Sequence, residues 1–189
     1  MESQAKSVDI QRLLVLSDTH GNICALETVL NWAKAYSQSG GINTAVFLGD
    51  GISDIKRVVA STGFLCEWKM VRGNNDFEHS LPLSDVLDFG GHKLFLCHGH
   101  RYSIYNGYYP LVESARNLNA EAVLFGHTHV PCHEKDDNIL LINPGSVGRP
   151  RSRTGATFAV IGCEPGKPLE AEFWGIADKG KVNLLTHIS

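Results

Sequence analysis

Five short apolar runs, each stopping at a carboxylate, an amide or an imidazole, constrain this chain more than any other feature. "RLLVLS" (12–17) runs into Asp18-Thr19-His20, and "TAVFLG" (44–49) runs into Asp50. "LCEWKMVRG" (65–73) is followed by Asn74-Asn75-Asp76, "LFLC" (94–97) by His98-Gly99-His100, and "EAVLFG" (121–126) by His127-Thr128-His129. Runs of this length, apolar and partly β-branched, read as buried strands. Ligand sites in open α/β sheets lie beyond the carboxyl ends of the strands, so five such ends predict one shared polar site. The alternation of extended chain sends residues i and i+2 the same way. Asp18 and His20 can thus converge, as can His127 and His129. Gly49, Gly73 and Gly126 precede the polar residues, which suits a backbone turning closely around a small object.

Between these runs the pattern alternates. Asn22 is placed to cap a helix over "ICALETVLNWAKAY", where Leu26, Val29, Leu30 and Ala33 fall at i, i+3, i+4 and i+7. "SGG" (39–41) stops it. A short helix is predicted over 53–61 and another over 108–118. "DVLDFGGHKLFLCHG" reads as a hairpin turning at Gly90-Gly91. From residue 131 onward the reading is short strands: "PCHEKDDNILLINPGS", "GATFAVIGCE" and "LEAEFWGI". Strand–helix alternation in the first half predicts a parallel sheet, and consecutive strands in the second predict antiparallel additions. No repeat or linker divides the chain, so residues 1–189 are expected to form one domain behind a short N-terminal tail (1–10).

Composition narrows the class of partner. Lysine and arginine number 17 against 20 acidic residues, for a net charge of −3. That balance offers no extended footprint for nucleic acid and no bulk attraction to an anionic membrane, so phosphate chemistry must come from a local site. The five cysteines (24, 66, 97, 132, 163) form no CxxC pair, which suits reduced thiols in a cytoplasmic protein. The N-terminal stretch lacks signal-peptide order, and no apolar run reaches membrane-spanning length.

Asp18, His20, Asp50, Asn74, His98, His127 and His129 combine carboxylate, imidazole and amide donors without a thiolate. Such a set suits Mn, Fe, Zn, Ni or Co and does not choose among them. Seven donors exceed one tetrahedral ion and match two ions sharing a carboxylate. His79, His92, His133 and His187 lack a partner pattern and read as ordinary surface or turn histidines. The run "GRPRSRTG" (148–155) could hold a phosphate through Arg149, Arg151 or Arg153, but reads more simply as a solvated loop.

The series D-x-H, G-D, G-N-x-D, H-G-H and G-H-T-H resembles the calcineurin-like metallophosphoesterase superfamily. Together with "VRGNND", "CHGHRY", "GHTHVP" and "NPGSVGRPR" it is similar to that superfamily's small YfcE-type phosphodiesterase branch. The resemblance implies a four-layer α/β/β/α sandwich of two mixed sheets flanked by helices, with two divalent metal ions at the strand ends. Carried over by motif, Asp18, His20 and His129 hold the first ion, Asp50 bridges, and Asn74, His98 and His127 hold the second. It further implies hydrolysis of a small phosphoester, a diester in this branch, by a hydroxide bridging the two ions and attacking phosphorus in line. Asp50, Asn74, His98 and His100 are then the expected catalytic residues. His100 enters by proximity: many members carry a proton-donating histidine after the metal-binding asparagine, whereas this chain has Asn75, an amide without a useful pKa.

Two dications, less two carboxylates and a hydroxide, leave one positive charge, which matches a singly charged diester better than a monoester dianion. Gly145, Ser146 and the nearby N–H groups of "NPGSVG" are placed to position the ester. The alternative is a non-catalytic metal-binding or protein-interaction scaffold of the same fold, like the retromer subunit within this superfamily. Retention of all seven donors ranks it below the enzyme. Edge strands and the aromatic "YNGYYP" (105–110) leave room for a homo-oligomer.

Overall fold

Alternation along the first strand sets the layering. In β1 (Gln11–Leu16), Leu13 and Val15 face one way and Leu14 and Leu16 the other, and all four are fully buried. A strand buried on both faces needs a layer on each side. The computed structural model, which describes residues 10–188 apart from the side chains of 38–40 and 178, supplies both. The expected tail (1–10) lies, except for Ile10, outside the described residues.

One sheet takes β1, β2 (Ile42–Phe47), β3 (Glu67–Met70), β9 (Thr157–Cys163), β10 (Glu170–Ile176) and β11 (Val182–Leu184), in the order β11-β10-β9-β1-β2-β3. The other takes β4 (Ser84–Phe89), β5 (His92–Cys97), β6 (Ala122–Leu124), β7 (Pro131–Asp136) and β8 (Ile139–Pro144), in the order β4-β5-β6-β8-β7. Leu13 and Val15 meet Leu94, Leu96, Leu124 and Ile142 between the sheets. Leu14 and Leu16 meet α1 (Ile23–Gly40) and α2 (Ile52–Thr62) through Leu26, Leu30 and Ile55. Phe95 and Val123, from the second sheet's outer face, meet Leu111, Val112 and Ala115 of α3 (Tyr109–Asn117). The result is the expected α/β/β/α sandwich of two mixed sheets.

Local chemistry sets most boundaries. Asn22 Oδ1 accepts from Ala25 N at 3.2 Å to open α1. The buried face of that helix is Leu26, Val29, Leu30 and Ala33, as the spacing predicts. Gly90 and Gly91, at φ 60° and 89°, form the two-residue turn between Phe89 and His92.

Three expectations change. The run 65–73 yields only Glu67–Met70 as strand, because Arg72 N donates to Pro82 O (2.9 Å) and leaves the ladder. The later strands are not all antiparallel: β6 pairs in parallel with both β5 and β8, since the β7–β8 hairpin brings the chain back in the same direction. Finally, β11 is a strand the sequence did not announce; "VNL" is too short for a periodic signal and exists through its pairing with β10.

Among the described residues no helix is long and apolar enough to cross a membrane. All five cysteines are free; Cys97, Cys132 and Cys163 are buried and Cys24 is exposed.

Candidate metal centre at the strand ends

The three parallel strands β1, β2 and β3 and the parallel pair β5 and β6 deliver their carboxyl ends to one edge of the sandwich. The backbone does not stay extended there. Asp18, His20, Asp50, His127 and His129 all sit in the left-handed region, with φ of 57°, 44°, 61°, 69° and 61°. The i/i+2 alternation of extended chain therefore does not hold in these loops. Convergence comes from left-handed turns, a conformation unfavourable for non-glycine residues that persists where surroundings over-determine it. The surroundings are visible: Asp18 N donates to Gly49 O (3.0 Å), His20 N to Asp50 O (3.1 Å) and Gly126 N to His98 O (3.0 Å). His127 N donates to Asp18 Oδ2 at 3.0 Å.

Five of the seven predicted donors meet in two overlapping groups. Asp18, His20 and His129 form one; Asp18, Asp50 and His98 form the other, with donor atoms within 4.8 Å of one another in each. Asp18 Oδ1 lies 3.2 Å from His129 Nε2, 3.6 Å from His20 Nε2 and 3.9 Å from His98 Nε2. Asp50 Oδ2 lies 3.5 Å from Nε2 of both His20 and His98. His127 and His129 part company: His129 joins the first group, while the His127 ring packs 5.1 Å from that of His98. Asn74 is exposed on the cleft above, beside Asn75.

The protonation pattern suits a cation. His98 Nδ1 lies 2.7 Å from Leu48 O and His129 Nδ1 2.6 Å from Arg149 O. A carbonyl only accepts, so both Nδ1 atoms carry a proton and both Nε2 atoms face the carboxylates, where the neutral form of each ring offers its lone pair to a cation. Among the described residues Asp18 Oδ1 and His98 Nε2 are buried without a hydrogen-bond partner, and the Nε2 atoms of His20 and His129 stand 3.1 Å apart. Buried polar atoms are rarely left unpaired, and divalent cations coordinated by these atoms would satisfy them.

Electrostatics agrees. Burial alone would raise the Asp18 carboxyl, but the facing His129 and His20 and the His98 charge hold it well below the usual carboxylate range. Asp50 faces the same penalty of burial, and contacts with His98 and Asn75 bring it down to about 2. His98 is raised: burial opposes its charge, and Asp50 and Asp18 outweigh burial. His127 and His100 are lowered, by burial first and by His98 second. Both carboxylates are thus ionised at neutral pH.

Around these donors lies a ring of carboxylates and amides that sequence reasoning left out of the candidate set. Asp76 accepts from the N–H groups of Asp50 (2.7 Å), Gly73 (2.8 Å), Gly51 and Ile52 (both 2.9 Å), tying the β3 loop to the start of α2. Asp54 accepts from Thr19 Oγ1 (2.5 Å) and Gly21 N (2.8 Å), holding the Asp18–His20 turn. Asn75 donates to Asp50 twice, from N (2.8 Å) and Nδ2 (2.6 Å), so its amide buttresses a carboxylate. The glycines are required by close approach: a Cβ on Gly73 would lie 2.1 Å from Asp50 Oδ1, and one on Gly126 2.1 Å from Ser17 Oγ. The aspartate of G-N-x-D was the available signal for Asp76. Nothing local announced Asp54.

An open cleft of about 440 Å³ lies over the donors, walled by Asn74, Asn75, Tyr105, Arg149 and Arg151. Two expectations are corrected here. The "GRPRSRTG" segment is not simply a solvated loop, since Arg149 and Arg151 face the cleft. Three N–H groups of "NPGSVG" are taken by the protein and not free for an ester: Gly145 N donates to Asn143 Oδ1, Val147 N to Ser17 O and Gly148 N to Asp18 O. Buried Ser146 donates to Asp18 O at 2.7 Å. His100 does not line the cleft; its ring packs 5.4 Å from His98 and 6.2 Å from His127.

Residues 12–166 match the family model of the calcineurin-like phosphoesterase superfamily domain. The chain is 30% identical over 173 residues to phosphodiesterase YfcE of Escherichia coli K12, a match spanning 80% of this chain and 88% of that protein. It is 28% identical over 152 residues to a probable metallophosphoesterase, YsnB, of Bacillus subtilis, spanning 80% and 84%. Among solved structures, a predicted phosphoesterase from Streptococcus pneumoniae superposes with a TM-score of 0.73 at 24% identity, over 93% of this chain and 97% of that one. Vps29 of Entamoeba histolytica complexed with zinc superposes at 0.71 and 19% identity over the same shares, a likeness of fold alone.

Proposed function

This chain belongs to the calcineurin-like phosphoesterase superfamily, and on that premise we propose that it is a phosphodiesterase working with two divalent ions, manganese first among them. The observation that carries the proposal is the pair of donor groups meeting at Asp18, with buried Asp18 Oδ1 and His98 Nε2 unpartnered. Asp18, His20 and His129 are assigned to one ion, and Asn74, His98 and His127 to the other. Asp50 is assigned the shared place: like Asp18 it faces an imidazole of each set, its Oδ2 lying 3.5 Å from Nε2 of both His20 and His98. Ions held by these residues would supply Lewis acidity, lowering the pKa of bound water and offsetting the charge of a phosphoryl group.

The chain's own residues do the rest. Leu48 O and Arg149 O fix the tautomers of His98 and His129. Asn75 and Asp76 hold Asp50 in its left-handed turn. Because Asn75 is committed to Asp50 and has no useful pKa, esters with good leaving groups are favoured. Aryl diesters are expected to turn over far faster than alkyl diesters. His100→Ala tests the remaining proton-donor assignment: a loss confined to alkyl esters supports it, and an equal loss on both classes removes it.

Diester preference rests on the phosphodiesterase relative and on the single net positive charge of the assigned centre. The test is elemental analysis of protein purified without chelator, followed by a panel of phosphomonoesters and diesters with each metal restored. Absence of stoichiometric metal, or of turnover with every metal, would defeat the enzyme reading. The Vps29 likeness favours one alternative, a protein-interaction scaffold of the same fold. The same two measurements separate them.

A further inference from the structure

Three features of the cleft wall lie outside the donor set and are anchored to it. Tyr105 is 64% exposed and its hydroxyl is held twice: it donates to His127 O (3.3 Å) and accepts from Arg151 Nη1 (3.1 Å). Its ring stands 5.5 Å from that of His127. Arg149, Arg151 and Arg153 form no ion pair with an acid among the described residues, and the first two line the cleft. The loop carrying them is pinned to the donor group: Arg149 N donates to Ser146 Oγ (2.8 Å), Arg151 N to His129 O (3.0 Å), and Arg149 O accepts from His129 Nδ1 (2.6 Å).

An exposed aromatic ring clamped in place presents a flat apolar surface at little further entropic cost. Guanidinium groups without a carboxylate partner, on a fixed loop, suit the oxygens of a phosphate. We infer that Tyr105, Arg149 and Arg151 form a recognition wall for an aromatic phosphodiester. On it the two guanidiniums take phosphoryl oxygens, and the Tyr105 ring stacks on the flat group that remains attached to phosphorus after cleavage. The flat group is a nucleobase or a simple aryl ring; both present the same π-face. This rests on the diesterase reading for its kinetics, though not for its binding.

The leaving group must be kept constant, because Asn75 already predicts sensitivity to it. Three p-nitrophenyl diesters serve, carrying methyl, phenyl or thymidyl as the retained group. Wild-type protein is expected to prefer phenyl and thymidyl over methyl in kcat/KM. Tyr105→Ala is expected to erase about 10-fold of that preference, the scale of one aromatic stack, mostly through KM. Tyr105→Phe, which keeps the ring and loses its tether, is expected to fall between. Arg151→Ala is expected to weaken all three esters, with partial recovery in Arg151→Lys. No aromatic preference in wild type, or an equal loss on all three esters in Tyr105→Ala, overturns the wall. The better of phenyl and thymidyl identifies the source of the flat group.

If no ester is turned over, the diesterase reading fails and the wall is judged by binding alone. Thymidine 5′-phosphate is then titrated against ribose 5-phosphate by calorimetry. Tighter binding of the former, lost in Tyr105→Ala, sustains the wall; equal affinities overturn it.

Discussion

One strand, β5, has a histidine at each end, and the two do opposite things. His92 opens the strand with each ring nitrogen facing an acceptor: Nδ1 at 2.9 Å from the exposed Glu121 carboxylate and Nε2 at 3.1 Å from Lys167 O. His98 comes directly after the strand with one nitrogen on Leu48 O, while the other, buried, faces two carboxylates and has no partner. A histidine tied to a carbonyl is therefore not yet a ligand. The distinction of His98 is its second nitrogen, aimed into a buried anionic pocket that solvent cannot satisfy.

The contrast breaks if the two ends respond alike. Its largest expression is between Asp50→Ala, expected to abolish turnover and most metal occupancy, and His92→Ala, expected to leave the metal content intact. Elemental analysis with a diester assay reads both, and full turnover in Asp50→Ala refutes the shared position. Next comes the support: Asp76→Asn removes the charge that gathers four N–H groups around Asp50. It is expected to weaken metal affinity by about 10–100-fold while the protein stays folded.

Glycines sharpen the contrast further. Gly126→Ala puts a methyl 2.1 Å from Ser17 Oγ and 2.8 Å from Asp18 Oδ2. It is expected to cost about 1–3 kcal/mol and to weaken metal binding. Gly91→Ala, beside His92, meets nothing within 4 Å and carries only the strain of φ 89°. Its cost is expected near ~1 kcal/mol with unchanged metal affinity, read by denaturant unfolding and titration. His92→Ala itself should cost under about 1 kcal/mol, as a pair with an exposed carboxylate.

The smallest effect concerns the thiols. Burial pushes Cys66 and Cys132 up to about 12. A raised pKa leaves almost no thiolate at pH ~8, so a disulfide reagent is expected to titrate exposed Cys24 quickly and the other four only after denaturation.

Much of this was readable from residues in order. The capped helix from Asn22, the Gly90-Gly91 hairpin and the five strand ends are local: a side chain next to its own backbone, or an apolar run and the polar residue that ends it. The chain by itself thus determined which residues reach the site edge and of what chemical kind. Folding decided how they are used. That His127 and His129 serve different neighbours, that Asn75 supports Asp50, and that Tyr105 meets Arg151 depend on loops joined across two sheets. These contacts link residues far apart in sequence, and the left-handed backbone angles that permit them are imposed by the neighbours they pack against.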